Sequence, residues 1–367
     1  MTRIKPGIKI IFVLAFLFTL IRCASPPPPD FDEEEWLQRT GAVDDALLYA
    51  AHVNPGGTFF NPWLQRQPRK KRETWRRGGP TREYDSFPNE QYSSVLNDYA
   101  YISDNDFYGI SYTGHASFII KMDGETIFTD PFFSNSALII RKEVKIKFDF
   151  SKVPRRPVVL ISHNHHDHLD KYSVKKLIKK DAVFIVPLGL KNLIEKWGAK
   201  EVHELDWWES ISLDPPVRVT LLPAQHWSRR LGQKAGTTLW GGFLIEGSKT
   251  IYFSGDTGYF IGFKEFGRLY NIDYALLAAG AYEPRWFMHY SHTNVEEFFR
   301  AVDDIGAQTA IPFHFGVINL SEEPLLYPLY EIEKYMEQHP EYSGMIQPLR
   351  VGECLKMFLP DFFHTGD

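Results

Sequence analysis

A chain of 367 residues with 44% hydrophobic and 24% charged residues has the composition of a soluble globular protein, with material for one large domain or two small ones. Its formal net charge of -5 lacks the basic surplus that a nucleic-acid binder carries, so no nucleic-acid partner is expected. Two cysteines, Cys23 and Cys354, with no CxxC spacing, argue against both a disulfide framework and zinc–thiolate chemistry.

The N-terminus reads as a targeting segment. Arg3, Lys5 and Lys9 precede the apolar run from Ile10 to Ile21. A basic start followed by about a dozen apolar residues is the pattern of a secretory signal and is short for a membrane span. Cys23 directly after that run suggests a bacterial lipoprotein, although Arg22 stands where a small residue is usual. A cleaved signal and an uncleaved anchor are the other two readings. All three put the body in the bacterial cell envelope, outside the cytoplasm and at a membrane surface. Residues 1–23 are therefore assigned to a signal or anchor, and residues 24–100 to a spacer and N-terminal arm. Pro26 to Pro29 and the acidic run to Glu35 read as an extended spacer. A short helix is expected between Glu34 and His52. The stretch from Asn54 to Asn89 carries Arg69-Lys70-Lys71-Arg72 and Arg76-Arg77, either a strip that meets anionic headgroups or a solvated arm.

From residue 101 to 360 the texture is that of a catalytic domain. Apolar runs at Tyr108–Tyr112, Ser117–Lys121, Thr126–Thr129, Val158–Ser162 and Ala182–Val186 read as strands. Further strands are predicted at Arg218–Leu222, Gly242–Glu246, Thr250–Phe253, Tyr274–Ala278 and Thr309–Pro312. Helices are predicted at Lys171–Lys180, Leu190–Trp197, Val295–Asp304 and Glu331–Gln338. The mixture predicts an α/β (α+β) fold of two mixed β-sheets faced together with helices outside.

The strand at Val158–Ser162 runs straight into His163-Asn164-His165-His166-Asp167-His168. Residues two apart on extended backbone point the same way, so His163, His165 and Asp167 can share a face. Asp167 and His168 are adjacent and diverge towards a second ion if the chain turns there. Three later strand ends add His226, Asp256 in Gly255-Asp256-Thr257-Gly258, and His314. Imidazole and carboxylate donors suit zinc, and iron or manganese also fit.

That order of HxHxDH, His, GDTG and His resembles the metallo-β-lactamase superfamily. The resemblance implies its αβ/βα sandwich and two ions per chain. His163, His165 and His226 would hold one ion, Asp167, His168 and His314 the other, and Asp256 would lie between them. Gly114-His115-Ala116-Ser117 and Thr129-Asp130-Pro131 also resemble superfamily segments, and imply that His115 and Asp130 support the site from outside. Further along the likeness narrows to the N-acyl-phosphatidylethanolamine-hydrolysing phospholipase D family. It rests on Ala281 to Met288, Leu205-Asp206-Trp207-Trp208, Gln225-His226-Trp227, Val186 to Leu190, Leu239-Trp240-Gly241 and Asn61-Pro62-Trp63, and spans roughly residues 55 to 355. His166 stands where that family often has tyrosine, and Ser291 where it often has glutamine.

This resemblance implies a dimetal phosphodiesterase, in which a hydroxide shared by two zinc ions attacks a membrane phospholipid. The products would be phosphatidate and an N-acylethanolamine. Asp167 and His292 would be catalytic, and His166, Ser291, Trp227 and Trp286 would meet the substrate. Trp227, Trp240, Trp286, Phe287 and Met288 either line an acyl groove or belong to the core. A homodimer is implied as well. The same dimetal chemistry also serves a lactonase or carboxylic ester hydrolase. A non-catalytic metal-binding lipoprotein is a third reading, disfavoured because a structural zinc needs only four closed ligands.

Overall fold

The computed structural model describes residues 31–64, 84–86, 99–213 and 217–358. The apolar run, Cys23, Pro26–Pro29 and the cationic strips at 69–72 and 76–77 lie outside the described residues. Two strands, β1 (Gly109–Gly114) and β2 (Ser117–Met122), are buried at every position, the pattern of strands covered on both faces. Asp123-Gly124 joins β2 to β3 (Glu125–Thr129), with φ of 53° and 82° at its two residues. Positive φ at both places is the two-residue turn that matches strand twist, and Asp-Gly suits it.

A small hairpin of β4 (Ser136–Ala137) and β5 (Ile140–Arg141) precedes three parallel strands. These are β6 (Val158–Leu160), β7 (Val183–Pro187) and β8 (Glu201–Leu205). Helices Lys171–Ile178 and Lys191–Lys196 make the crossovers between them. The second sheet is built from β9 (Ser210–Ser212), β10 (Arg218–Leu222), β11 (Gly242–Glu246), β12 (Thr250–Phe253), β13 (Tyr274–Ala278) and β14 (Thr309–Phe313). A last strand, β15 (Cys354–Lys356), returns to pair antiparallel with β1. The two sheets have the orders β15-β1-β2-β3-β6-β7-β8 and β14-β13-β12-β11-β10-β9.

The sheets face each other across an aromatic interior. Phe118 of β2 meets Phe253 of β12 and Phe313 of β14, with ring centroids 6.4 and 5.5 Å away. On the outer side of the first sheet, Val174, Leu177 and Ile194 cover Phe128, Val159 and Phe184. On the outer side of the second, helices Gly262–Leu269 and Val295–Ile305 bury Phe263, Phe266, Phe298 and Val302. The result is the expected sandwich, helices outside two mixed sheets.

Differences from the expected elements have local causes. β8 and β15 alternate buried or half-buried with polar positions and are completed only by pairing at sheet edges. The last long helix starts at Tyr327, with a proline in its first turn, rather than at Glu331. Between Glu34 and His52 there are two pieces, helix Glu33–Gly41 and a 3-10 turn Asp45–Tyr49. The spacer-and-arm assignment gives way over residues 31–64, because Trp36, Leu48 and Trp63 are buried and the latter two join the main core. Among the described residues no helix is long and apolar enough to cross a membrane.

Phe298 has no exposed surface. Phe298→Ala is expected to cost about 3–5 kcal/mol, since the cavity under a sheet-backed helix cannot collapse. Chemical denaturation checks this, and a loss under 1 kcal/mol would mean the helix does not hold the second sheet.

Candidate metal centre

All the predicted ligands sit where strands end on one edge of the sandwich. β6, β10, β12 and β14 lead respectively into the 163–168 cluster, His226, Asp256 and His314. After β6, the Ser162 amide donates to Asp130 Oδ1 (2.7 Å), which starts the loop in a fixed direction. His163 to His165 continue forward, and then the chain curls. The amides of His168 and Leu169 donate to the His165 carbonyl, at 3.3 and 2.9 Å. That single turn separates Asp167 and His168 from His163 and His165. Asp170 ends the loop by accepting from the amides of Tyr172 and Ser173, capping the next helix.

The later ligands depend on tight backbone turns. Gly255 has φ of +58°, and a Cβ there would stand 2.7 Å from the Ser162 Cβ, so only glycine lets Asp256 approach. A Cβ at Gly258 would meet the Tyr290 carbonyl at 2.5 Å. His115, Asp130 and His314 are also left-handed, with φ of 60°, 34° and 79°. Non-glycine residues adopt this region at a cost, and three such residues gather around one site.

The donors form four overlapping groups, each with its ligand atoms within 4.8 Å of one another. Two of them, Asp130 with His163 and His168 and His292 with Asp256 and His314, share members with the other two, which take in all the predicted ligands. Of these other two, the first is His163, His165, His226 and Asp256; the second is His115, Asp167, His168 and His314. In the first, His165 Nδ1 lies 2.7 Å from His163 Nε2 and 3.3 Å from His226 Nε2. Asp256 Oδ2 lies 3.9 and 3.8 Å from His163 Nε2 and His226 Nε2. The same carboxylate reaches the second group, 3.1 Å from His168 Nε2 and 2.9 Å from His314 Nε2. Asp256 therefore stands between the two groups. His115 Nε2 is engaged with Asp167 Oδ2 at 2.8 Å, so it holds a ligand in place.

Partners behind the ligands set which ring nitrogen faces inward. His168 Nδ1 lies 2.7 Å from Asp130 Oδ2, His163 Nδ1 lies 2.9 Å from Ser162 Oγ, and His226 Nδ1 lies 3.1 Å from the Ser291 carbonyl. The Nε2 atoms of all three are left for the site. Asn61 Nδ2 donates to the His226 carbonyl and to the Tyr290 hydroxyl, and Trp63 Nε1 donates to Gln225 Oε1. Ser162, Asn61 and the Ser291 carbonyl are functional groups that the sequence motifs do not disclose as partners, because a backbone carbonyl or a distant amide has no spacing to read.

The electrostatics suit divalent cations. Burial alone would raise Asp167 and Asp256, yet His168 and its neighbours outweigh it and hold both well below the usual carboxylate range. Burial pushes His163 and His226 far down and His165 down to about 4, so these imidazoles are neutral donors at pH 7. Burial would lower His168 too, but Asp256, Asp167 and Asp130 raise it well above its ordinary value. Those three carboxylates draw positive charge to the point where an ion would sit. His168 Nε2, His314 Nε2 and Asp256 Oδ1 are buried and close together, yet none makes a well-aligned hydrogen bond, a costly state that a cation relieves. The nitrogen and oxygen donor set fits zinc, iron or manganese. Cys354 is exposed at a sheet edge and is not part of it.

The other predicted site residues divide. His292 is mostly buried, with an unpaired Nδ1, and its ring lies 5.3 Å from both His226 and His314. Ser291 is buried with its Oγ unpaired. Trp227 stands edge-on to His165, centroids 4.7 Å apart. His166 is half-buried beside Arg230, which lowers it further after burial. Trp286 packs edge-on against its neighbour Phe287 at 5.5 Å. Trp240 does not line a groove. It is buried and donates to the Ala224 carbonyl at 2.9 Å, under the loop that carries His226. Met288 is buried as well.

Fold and donor set together define a metal-dependent hydrolase. The model of the beta-lactamase superfamily domain matches residues 125–315, and the chain belongs to the metallo-β-lactamase superfamily. Among its relatives is the mitochondrial N-acyl-phosphatidylethanolamine-hydrolyzing phospholipase D of Saccharomyces cerevisiae. It is 33% identical over 230 residues, covering 59% of this chain and 49% of the yeast protein. The chain thus spans about half the length of that relative. N-acyl-phosphatidylethanolamine-hydrolyzing phospholipase D 1 of Caenorhabditis elegans is 30% identical over 268 residues, 67% of this chain and 73% of that one. Igni18, a metallo hydrolase of Ignicoccus hospitalis KIN4/I, shares the fold with a TM-score of 0.52 at 21% identity, over 68% of this chain and 97% of Igni18.

Elemental analysis is expected to find about two divalent ions per chain, falling to about one in His226→Ala. The metal-free protein should also lose stability in acid. His115, His163, His165 and His226 have folded-state values below the ordinary one of about 6.5. Each therefore costs nothing above pH ~6.5 and destabilises progressively below it, down to about 4 for His115 and His165. The raised His168 adds stability that is complete by pH ~6.5 and constant below it, so it does not change the slope in acid. The slope is about 1.4 kcal/mol per pH unit for each histidine that protonates only on unfolding. A melting temperature that stays level from pH 6.5 to 4 would contradict this account.

Proposed function

We propose that this hydrolase is a phosphodiesterase of phospholipase D type, acting on N-acyl-phosphatidylethanolamine-like lipids. The observation that carries the reading is His292, which stands against His226 of one ligand group and His314 of the other at equal ring distances of 5.3 Å. A phosphate lying across both groups would meet this ring. The motif from Ala281 to Met288 and the names of the yeast and nematode relatives support the same substrate class. Two zinc ions per chain and a bacterial envelope location, with the chain held at a membrane, complete the proposal.

In the reaction, water adds to phosphorus and the P–O bond to the N-acylethanolamine breaks, leaving phosphatidate. The water's proton leaves the phosphorus side and one proton ends on the alcohol. Bound divalent ions supply neutralisation of phosphoryl charge and acidify water. The chain's own groups orient the substrate. Burial pushes His292 down to about 3, so it is neutral at pH 7 and offers an N–H to a phosphoryl or leaving oxygen rather than a fixed charge. The free hydroxyl of Ser291 and the ring of His166 face the headgroup, and Trp227 forms an apolar wall next to His165.

Zinc-loaded protein is expected to release phosphatidate from N-acyl-phosphatidylethanolamine micelles, with release abolished in Asp256→Asn. In His292→Ala, kcat should drop by about 10²-fold with the metal content unchanged. Hydrolysis of a lactone or a simple phosphodiester, with the phospholipid untouched, would retain the dimetal centre and reject this substrate.

A further inference from the structure

Two loops that border the ligand cluster carry bare apolar tips. One is the β4–β5 hairpin, where Leu138 is exposed and Ile139 is 86% exposed. Its base is tied to the ligand loop on one side, through Ser134 N to Asp170 Oδ2 at 3.0 Å and Phe133 N to Ser173 Oγ at 2.8 Å. On the other side the residues after it are tied to the segment following His314, since the amides of Glu143 and Val144 both donate to the Val317 carbonyl. The second loop follows Trp227 and exposes Leu231 to 77%. Arg230 fastens it by donating to the carbonyls of Asn164 and Leu169, at 2.9 and 3.0 Å, and Asn164 Nδ2 donates to Gln233. Half-exposed Tyr172 stands where the ligand loop ends.

Single exposed apolar residues are ordinary, but here four of the eight large exposed ones in the described residues lie on segments bonded to one loop. Between the hairpin and Tyr172 runs a groove of about 750 Å³, with Phe133, Phe148, Phe150 and Tyr172 in its walls. The charges are one-sided. Residues 134–150 and 227–237 hold six cations (Arg141, Lys145, Lys147, Arg229, Arg230 and Lys234) against two acids (Glu143 and Asp149), apart from Lys142, which is buried and pushed down to about 7 by burial. That local excess of four positive charges belongs to a chain whose formal net charge is -5. Arg141, Lys145, Lys147, Arg229 and Lys234 are exposed and have no ion-pair partner among the described residues.

We infer that the hairpin tip at Leu138-Ile139 and the loop tip at Leu231 form a docking surface for an anionic phospholipid interface. The apolar tips enter the acyl boundary while the ring of lysines and arginines meets the headgroup phosphates. The bonds from both loops to the 163–170 segment then bring the metal centre to the lipid surface, where a headgroup reaches it without the whole lipid leaving the bilayer. This surface is made of described residues of the catalytic domain, and it deepens the phospholipid reading of the site on which it rests.

The test uses the full chain with Cys23→Ser and Cys354→Ser, carrying an environment-sensitive dye at Ile139→Cys. A control chain carries the dye at Lys200→Cys, at the opposite strand end of the first sheet. With vesicles of phosphatidylcholine and phosphatidylglycerol, the dye at 139 is expected to shift to shorter wavelength and the dye at 200 to stay unchanged. The shift should weaken in high salt and with vesicles of phosphatidylcholine alone, by roughly fivefold in apparent affinity for each cation lost from contact. No shift at 139, or an equal shift at 200, overturns the proposal. This readout does not depend on catalysis, so it survives if the enzyme proves to act on another substrate. If the phospholipid reading holds, Leu138→Ser/Ile139→Ser/Leu231→Ser lowers turnover on vesicles by about tenfold or more. Turnover of a dispersed short-chain diester stays unchanged.

Discussion

The structure turns on one buried carboxylate. Asp256 is nearly sealed from solvent, and its two oxygens face histidines arriving from the ends of three other strands. Taking such a charge out of water is expensive unless several donors or cations surround it. Much of the local architecture serves that requirement. The left-handed Gly255 brings the aspartate close to Ser162, and the strained backbone at His115 and His314 turns their rings inward. A sandwich with two sheets facing each other is a frame in which strand ends from both sheets can converge on one point.

Around this centre the protein builds a rear layer that fixes ring orientation. Asp130, Ser162 and the Ser291 carbonyl each occupy the outward nitrogen of a ligand histidine, leaving the other nitrogen committed to the site. The N-terminal segment belongs to the same layer, since Asn61 holds the His226 carbonyl and Tyr290 together. Farther out, Arg285 pairs with Glu33 and Glu297 and donates to the His292 carbonyl at 3.1 Å. The loop carrying Ser291 and His292 is thereby fastened to the first helix, which the sequence offered as a short helix within an N-terminal arm.

Much of this was legible beforehand because metal sites concentrate rare residue types in a recognisable order. The run from His163 to His168 after an apolar strand announces ligands, and strands from β10 to β13 are readable from short apolar runs bounded by turns. What escaped reading shares a physical character. β8 and β15 are short, partly polar edge strands whose ladder partners lie far away in the chain. Helix Gly262–Leu269 starts at a glycine with no side-chain cap, so it lacks a boundary signal. Trp240 looked as suitable for a groove as for the core, and only the hydrogen bond to Ala224 shows that it faces inward.

By itself the sequence determined the donor types, their order and the strands that deliver them, because these follow from residue chemistry and from periods of a few residues. The division of those donors into two groups was implied by the family resemblance, but its physical cause lies in the tertiary structure. It depends on a single turn between His165 and Leu169, and on β12 and β14 meeting β6 across the sandwich. Convergence of that kind is a property of packed sheets, since His168 and His314 are about 150 positions apart and no local pattern can record that their rings stack at 5.5 Å.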